Sequence, residues 1–144
     1  MRQDSPIVLV IEDDDAVREY AVKALSRLGY AATGAADAQA ALEIATASPS
    51  IRLILSDVCL TSGTGPEVVR QALRHRPDLK VIFMTGGFDG ISFRRTDPVI
   101  PKPFRIQQLH DMVKSALDDT KRPAETRRAS GVERRRPPEK TPEA

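Results

Sequence analysis

Polar side chains that can do chemistry follow several of the apolar runs of this chain. Glu12 and Asp13 come directly after the first apolar run, and Asp57 follows a second strongly apolar run. Thr85 and Lys102 follow two later runs. In open parallel sheets, ligands bind beyond the carboxyl ends of the strands. If these runs are parallel strands, we expect three carboxylates, a hydroxyl and an ammonium group to converge at one edge of a sheet.

This set of side chains suits Mg²⁺ and phosphoryl transfer. Three crowded carboxylates repel one another, so at least one should have a raised pKa unless a cation relieves the repulsion. Mg²⁺ is a hard ion that binds one or two carboxylates together with substrate phosphate. Asp57 could then act as a nucleophile, because aspartyl phosphates are established covalent intermediates. The ion, Lys102 and the Thr85 hydroxyl would each contact the oxygens over which the charge of the transferred group spreads.

The elements that must position these residues alternate between strands and helices. Continuous apolar runs are typical of strands buried on both faces, and apolar residues at helical spacing indicate amphipathic helices. Any helix within residues 86–97 should be short, because that stretch is rich in Gly and poor in periodicity. The order predicts an α/β, doubly wound parallel sheet. The predicted strands span residues 7–11, 30–35, 52–57, 80–84 and 99–100, and the predicted helices span 16–28, 37–47, 66–76 and 106–117.

Composition excludes several other classes of protein. The chain has 144 residues, of which 40% are hydrophobic, and no apolar run approaches the roughly 20 residues of a membrane span. The first apolar run is also too short for a signal peptide. A single cysteine, Cys59, cannot form an intrachain disulfide, and no zinc-ligand spacing is present. We therefore expect a protein of the reducing cytoplasm with an aliphatic core.

The charge is divided unevenly along the chain. Residues 121–144 carry eight Lys or Arg and four Glu, whereas residues 1–120 carry 14 basic and 16 acidic side chains. This basic, Pro- and Arg-rich stretch has almost no large apolar side chains, so we expect one folded domain over residues 1–120 and a disordered tail over 121–144. The tail has no aromatic side chains for base stacking. We expect at most weak, salt-sensitive contact of the tail with nucleic acid.

Together these motifs resemble the receiver domain of bacterial two-component response regulators. Each motif alone has an ordinary structural explanation, such as an acidic helix start or a turn threonine, but here they occur in the right order on the right elements. The resemblance covers residues 7 to about 118 and implies a five-stranded, flavodoxin-like fold. It rests on the stretches VLVIEDD (8–14), LILSD (53–57), VIFMTG (81–86) and PKPF (101–104).

The resemblance implies a phosphoacceptor and a metal site. Asp57 would accept the phosphoryl group from the phosphohistidine of a sensor histidine kinase or a histidine phosphotransfer protein. Asp13 would bind Mg²⁺ directly, and Glu12 would help, partly through water. The backbone carbonyl of Cys59 would be a third protein ligand.

The resemblance also assigns the switch residues, and here the sequence departs from the family. Lys102 would contact the phosphoryl group and precede a cis peptide bond, and Thr85 would sense phosphorylation. The family usually has Tyr or Phe three residues before the lysine, where this chain has Val99. The segment between Thr85 and Lys102 is several residues shorter than usual, which implies a shortened fourth helix and resembles the receivers of hybrid histidine kinases. The usual Met-Pro-Gly loop after the acceptor is replaced by LTSGTGP (60–66).

We therefore expect a stand-alone receiver that signals by protein contact or acts as a phosphate shuttle or sink, with an unknown downstream protein target. It would be no enzyme beyond catalysing its own phosphorylation and dephosphorylation. Two alternatives remain at this point: an interaction module with the receiver fold that no longer cycles phosphate, and a receiver tethered to nucleic acid by its tail. A flavin-binding protein is disfavoured, because carboxylates lie where a flavin phosphate would sit.

Overall fold

The structure, a computed structural model, describes residues 5–61, 63–86 and 98–118. Within these ranges, seven strands and four helices alternate along the chain. The strands are β1 (Val8–Ile11), β2 (Ala32–Ala35), β3 (Leu53–Asp57), β4 (Cys59–Leu60), β5 (Gly63–Thr64), β6 (Lys80–Thr85) and β7 (Val99–Pro101). The helices are α1 (Asp15–Arg27), α2 (Ala38–Ala47), α3 (Gly65–His75) and α4 (Ile106–Asp118).

Five of the strands form the predicted parallel sheet. Their order is β2-β1-β3-β6-β7, with every neighbouring pair parallel. The order reverses direction between β1 and β3, which makes the carboxyl ends of these two strands the switch point at which such sheets bind ligands. The prediction of an α/β doubly wound sheet is therefore confirmed.

The remaining two strands form a short antiparallel hairpin that the sequence did not predict. Cys59 pairs with Thr64, and Leu60 pairs with Gly63. Strands of two residues are too short to show a period of alternation, so this hairpin leaves no pattern in the sequence. The predicted shortened fourth helix and the tail over residues 121–144 lie outside the described residues. No helix in the described part of the chain is long and apolar enough to cross a membrane.

The sheet has a separate apolar layer on each face, which explains the continuous apolar strands. In β1, Val8 and Val10 belong to one core cluster, whereas Leu9 and Ile11 belong to the other. The first cluster includes side chains of α1 and α4, and the second includes side chains of α2 and α3. Because both faces of the central strands are covered, their side chains can be apolar at every position.

Capping residues begin the two helices that follow the strands of the switch point. Asp14 precedes α1, and its Oδ1 accepts hydrogen bonds from the backbone N–H groups of Ala16 (2.9 Å) and Val17 (3.1 Å). Thr64 precedes α3 and forms a reciprocal capping box with Glu67. α1 starts four residues after the end of β1, whereas α3 starts after the short β4–β5 hairpin that follows β3.

The first turn of α3 passes so close to β3 that only glycine fits at position 65. The N–H of Gly65 donates to the carbonyl oxygen of Val58 at 2.8 Å. A Cβ atom at position 65 would collide with the backbone carbonyl oxygen of Asp57 and lie 2.8 Å from the hydroxyl oxygen of Ser56. Since the backbone of Asp57 cannot move without disturbing the sheet, any side chain at position 65 must push α3 away.

We expect Gly65→Ala to lower the free energy of unfolding by about 1–3 kcal/mol, the usual cost of overpacking a close contact. Gly86→Ala is the matched control, because a Cβ atom there would meet nothing within 4 Å. Urea denaturation of the two variants checks this. Equal stability of the two variants would contradict the close approach of α3 to β3.

Arg76, directly after α3, binds the end of α2. Helix α2 has no basic residue in its last turn. The guanidinium of Arg76 donates to the carbonyl oxygens of Ala45 and Ser48, each at 3.3 Å, and of Ile51 at 2.7 Å. It also pairs with Asp78 at 3.1 Å. Arg76 therefore supplies, from outside α2, the positive charge that stabilises a helix carboxyl end.

Replacing Arg76 with Met should lower the free energy of unfolding by about 1.5–3 kcal/mol, because hydrogen bonds from a charged donor are lost and carbonyl groups of α2 lose their partner. Arg74→Met is the matched control, since Arg74 is exposed on the same helix. Chemical denaturation measures both. The assignment fails if the control loses as much stability as Arg76→Met.

Candidate functional site

The acidic residues predicted to converge do meet at the carboxyl ends of β1 and β3. Glu12 and Asp13 follow β1, Asp57 ends β3, and one carboxylate oxygen from each residue lies within 4.8 Å of the others. Glu12 is only 1% exposed and Asp57 7% exposed, whereas Asp13 is half-buried. β1 and β3 are neighbours in the sheet, with Ile11 opposite Ser56, and this register brings the three carboxylates together.

Lys102 bridges two of these carboxylates from the end of β7. Its Nζ lies 3.2 Å from Oε1 of Glu12 and 3.3 Å from Oδ1 of Asp57. The peptide bond between Lys102 and Pro103 is cis, as the resemblance implied. The backbone N–H of Lys102 also donates to the carbonyl oxygen of Thr85 at 2.7 Å. Lys102 is therefore held both by its backbone and by its charged end.

Burial and crowding shift the charges of the site. The pKa of Glu12 is raised, first because burial disfavours its charged form and then because Asp57 is negatively charged; its hydrogen bond from Asp14 and the attraction of Lys102 oppose this. Burial alone would lower the pKa of Lys102, but the attraction of Asp57 and Glu12 outweighs it and raises that pKa. Lys102 thus stays charged, and Glu12 is the acid with the predicted raised pKa.

Asp13 is held differently from the other two acids. Its Oδ2 accepts a hydrogen bond from the backbone N–H of Thr61 at 2.8 Å, across the tip of the β4–β5 hairpin. Partial burial acts to raise the pKa of Asp13, but hydrogen bonds from the backbone and side chain of Thr61 outweigh it, so the pKa is lowered. Asp13 is therefore an ionised and oriented carboxylate at the mouth of the site.

The other predicted residues lie around this cluster. Thr85 is the last residue of β6. The residue before it, Met84, lies opposite Asp57 of the neighbouring strand β3. Cys59 follows Asp57 by two residues and is exposed in β4. Val99 begins β7, is half-buried and packs against the core cluster of α2 and α3. An aliphatic side chain thus occupies the position where the family usually has an aromatic ring.

Two residues that support the site were missed by the sequence analysis. Arg18 donates to the carbonyl oxygen of Glu12 at 2.9 Å and pairs with Asp15 at 2.6 Å. Its aliphatic part packs so tightly over Gly34 that a Cβ atom there would lie 2.9 Å from its Cδ. Thr61 is the second missed residue. Neither has a sequence signal, because Arg18 looks like a surface residue of α1 and a backbone N–H has no signature.

The donor set fits a hard divalent cation. Three carboxylates carry three negative charges, and Lys102 supplies one positive charge close to two of them. The excess of two negative charges matches one divalent ion, and oxygen ligands are those preferred by Mg²⁺. The pKa of Glu12 is raised mainly by burial and further by the charge of Asp57, and a cation bound at this cluster would oppose both effects.

Removing the ammonium group should destabilise the protein in a pH-dependent way. We expect Lys102→Met to lower the free energy of unfolding by about 1–3 kcal/mol near pH 7, since two buried carboxylates lose their counterion. The loss should shrink as pH falls through the raised pKa of Glu12, because a protonated Glu12 needs no cation.

Urea denaturation near pH 7 and near pH 5 measures this effect, with Lys114→Met, an exposed lysine of α4, as the control. A stability loss that does not change between the two conditions would argue against the pairing with Glu12.

The comparisons with known proteins agree with this geometry. The family model of the response regulator receiver domain matches residues 8–114. This range includes every residue of the acidic cluster as well as Lys102. The chain therefore belongs to the response regulator receiver domains, the signalling modules of two-component systems.

Its relatives include both kinases and regulators. The chain is 36% identical to part of the sensor kinase CckA of Brucella abortus, over 79% of this chain but 13% of that protein. It is 32% identical to the response regulator receiver protein CpdR of the same species, over 76% of this chain and 95% of that protein. It is 34% identical to the response regulator MprA of Mycobacterium ulcerans, and the match spans 51% of that protein.

Solved receiver structures share the fold. The receiver domain of the hybrid histidine kinase CckA superposes with a TM-score of 0.67 at 33% identity, covering 76% of this chain and 97% of that chain. A CheY-like receiver domain protein from Methanospirillum hungatei gives a TM-score of 0.69 at 27% identity, covering 78% and 94%. The flavodoxin-like receiver fold is thus confirmed, and the predicted likeness to hybrid-kinase receivers has a counterpart in CckA.

Proposed function

We propose that this chain accepts a phosphoryl group on Asp57 and passes on a signal by protein contact or by returning the phosphate to a relay. The observation that carries this proposal is the meeting of Glu12, Asp13 and Asp57 at one strand edge, with Lys102 bridging two of them. A structural ion pair would need one carboxylate for one lysine. Here Lys102 pairs with two carboxylates and a third carboxylate lies beside them, a surplus of acidic groups that supports the binding of a cation.

The proposed Mg²⁺ ligands are Glu12, Asp13 and Asp57, together with the backbone carbonyl of Cys59. The first three already lie within reach of a single ion. When bound, Mg²⁺ neutralises charge on the phosphoryl oxygens during transfer. The chain's own contribution is to hold these oxygen ligands on strand ends, where the sheet fixes their spacing.

Asp57 acts as the nucleophile in this proposal. A carboxylate oxygen of Asp57 forms a bond to phosphorus while the phosphorus–nitrogen bond of a donor phosphohistidine breaks, and the imidazole keeps the electron pair of that bond. A carboxylate nucleophile needs no general base. Dephosphorylation is a separate reaction, in which water attacks phosphorus, the carboxylate of Asp57 leaves, and the proton of the water passes to the released inorganic phosphate.

Lys102 and Thr85 would respond to the new phosphoryl group. Lys102 already lies 3.3 Å from Asp57, and its ammonium would then pair with a phosphoryl oxygen. The backbone hydrogen bond between Lys102 and Thr85 joins the end of β7 to the end of β6, so a movement of one residue displaces the other. With Val99 in place of an aromatic ring, we propose that the signal passes through this pair of strand ends.

The proposed partners are a sensor histidine kinase or a histidine phosphotransfer protein, and a downstream protein. The similarity to CckA supports a connection with a hybrid kinase, and the similarity to CpdR supports a role as a response regulator receiver.

Incubation with acetyl phosphate followed by intact-mass spectrometry tests the reaction. We expect a Mg²⁺-dependent gain of one phosphoryl group, which Asp57→Asn abolishes and Asp111→Asn, an exposed acid on α4, leaves intact. Lys102→Met should lower the yield, because the charge on the phosphoryl oxygens loses a partner.

Failure of the wild-type protein to gain mass from both acetyl phosphate and a phosphorylated histidine phosphotransfer protein would leave the non-cycling interaction module. A gain of mass that persists in Asp57→Asn would place the phosphoryl group on another residue.

A further inference from the structure

We propose that the β4–β5 hairpin sets the affinity of the acidic site for its divalent cation, through the backbone N–H of Thr61 acting on Asp13. Thr61 is thus a positioning residue, and the inference rests on the proposed function of the site. The restraint of Asp13 by the hairpin requires no bound metal, because it consists of the hydrogen bond from the N–H of Thr61.

Among the three acids, Asp13 is the one that the hairpin holds. Lys102 reaches Glu12 and Asp57, and the second oxygen of Glu12 accepts from the N–H of Asp14 at 3.1 Å. The Oδ2 of Asp13 instead accepts from Thr61, which lies 48 positions further along the chain. The orientation of this carboxylate therefore depends on a tertiary contact to a loop tip.

The hairpin is anchored firmly enough to act as a support. Before it, the N–H of Val58 donates to the carbonyl oxygen of Met84 in β6 at 3.0 Å. After it, the N–H of Gly65 donates to the carbonyl oxygen of Val58 at 2.8 Å, and Thr64 caps α3. Thr61 thus lies at the tip of a loop whose two ends are tied to the sheet and to each other.

This contact affects cation binding in two opposing ways. The N–H draws some electron density from Oδ2, which weakens the carboxylate as a ligand. It also holds the carboxylate in one orientation, so less freedom is lost on binding. Because the N–H is a neutral dipole that keeps the full charge of Asp13 in place, we expect orientation to dominate. Outer partners of metal ligands typically change affinity about 10–100-fold.

The coupling must be reciprocal. If the hairpin contact strengthens cation binding, the bound cation must strengthen the hairpin contact by the same factor. Exchange of the Thr61 amide hydrogen with solvent measures this, since that amide is protected only while it donates to Asp13.

The first experiment compares Mg²⁺ dissociation constants of the wild type, Thr61→Pro and Thr61→Ala by calorimetry. Proline removes the N–H, whereas alanine keeps it and removes the hydroxyl and the γ-methyl group. We expect about tenfold weaker binding for the proline variant and a clearly smaller change for the alanine variant. In phosphorylation by acetyl phosphate, the proline variant should need more Mg²⁺ for half-maximal rate but reach the wild-type rate at saturation. Equal affinities, tighter binding by the proline variant, or an equal loss in both variants would overturn the proposal.

The second experiment tests the same contact without the proline variant, in case that variant does not fold. By NMR, the Thr61 amide of the metal-free wild type should exchange slowly, exchange faster in Asp13→Ala, and regain protection in Asp13→Asn, whose amide oxygen can still accept. Adding Mg²⁺ to the wild type should slow the exchange further. An unprotected Thr61 amide in the wild type would refute this inference while leaving the proposed function untouched. A wild type that binds no Mg²⁺, with a protected Thr61 amide, would instead count against the proposed function and, with it, against the affinity role of the hairpin.

Discussion

The contact of one ammonium group with two buried carboxylates organises this molecule. Lys102 joins the ends of β1, β3 and β7 because its Nζ lies 3.2 Å from Glu12 and 3.3 Å from Asp57. Buried carboxylates without a counterion are costly. The lysine that follows β7 therefore stabilises the meeting of these strand ends, which the backbone pairing of the sheet brings together.

The apolar packing of the sheet offsets the free-energy cost of burying these polar groups. The raised pKa of Glu12 means that its ionised form is less favourable in the folded protein than in the unfolded chain. The stability linked to Glu12 is thus greatest at low pH and falls as pH rises through the raised pKa. Apolar layers on both faces of the sheet offset this cost.

Val99 separates this chain from the usual pattern of its family. The residue is half-buried against the layer of α2 and α3, so an aliphatic side chain fills the space beside β6. The backbone hydrogen bond from Lys102 to Thr85 joins the lysine of the acidic site to the end of β6, beside the direct pairing of Asp57 with Met84 across β3 and β6.

The sequence by itself determined the five strands of the parallel sheet, the four described helices and the residues at the strand ends. Periodicity is a local property, so the continuous run before Glu12 and the amphipathic pattern of α4 could be recognised without a structure. The order of these elements then predicted the parallel sheet and the edge at which Asp57 lies. Only the tertiary structure decided how the site is held. The contacts of Thr61 with Asp13, Arg18 with Glu12 and Arg76 with the end of α2 all use backbone atoms, which every residue has. Such contacts leave no mark on residue type, and they exist only once distant segments have been brought together.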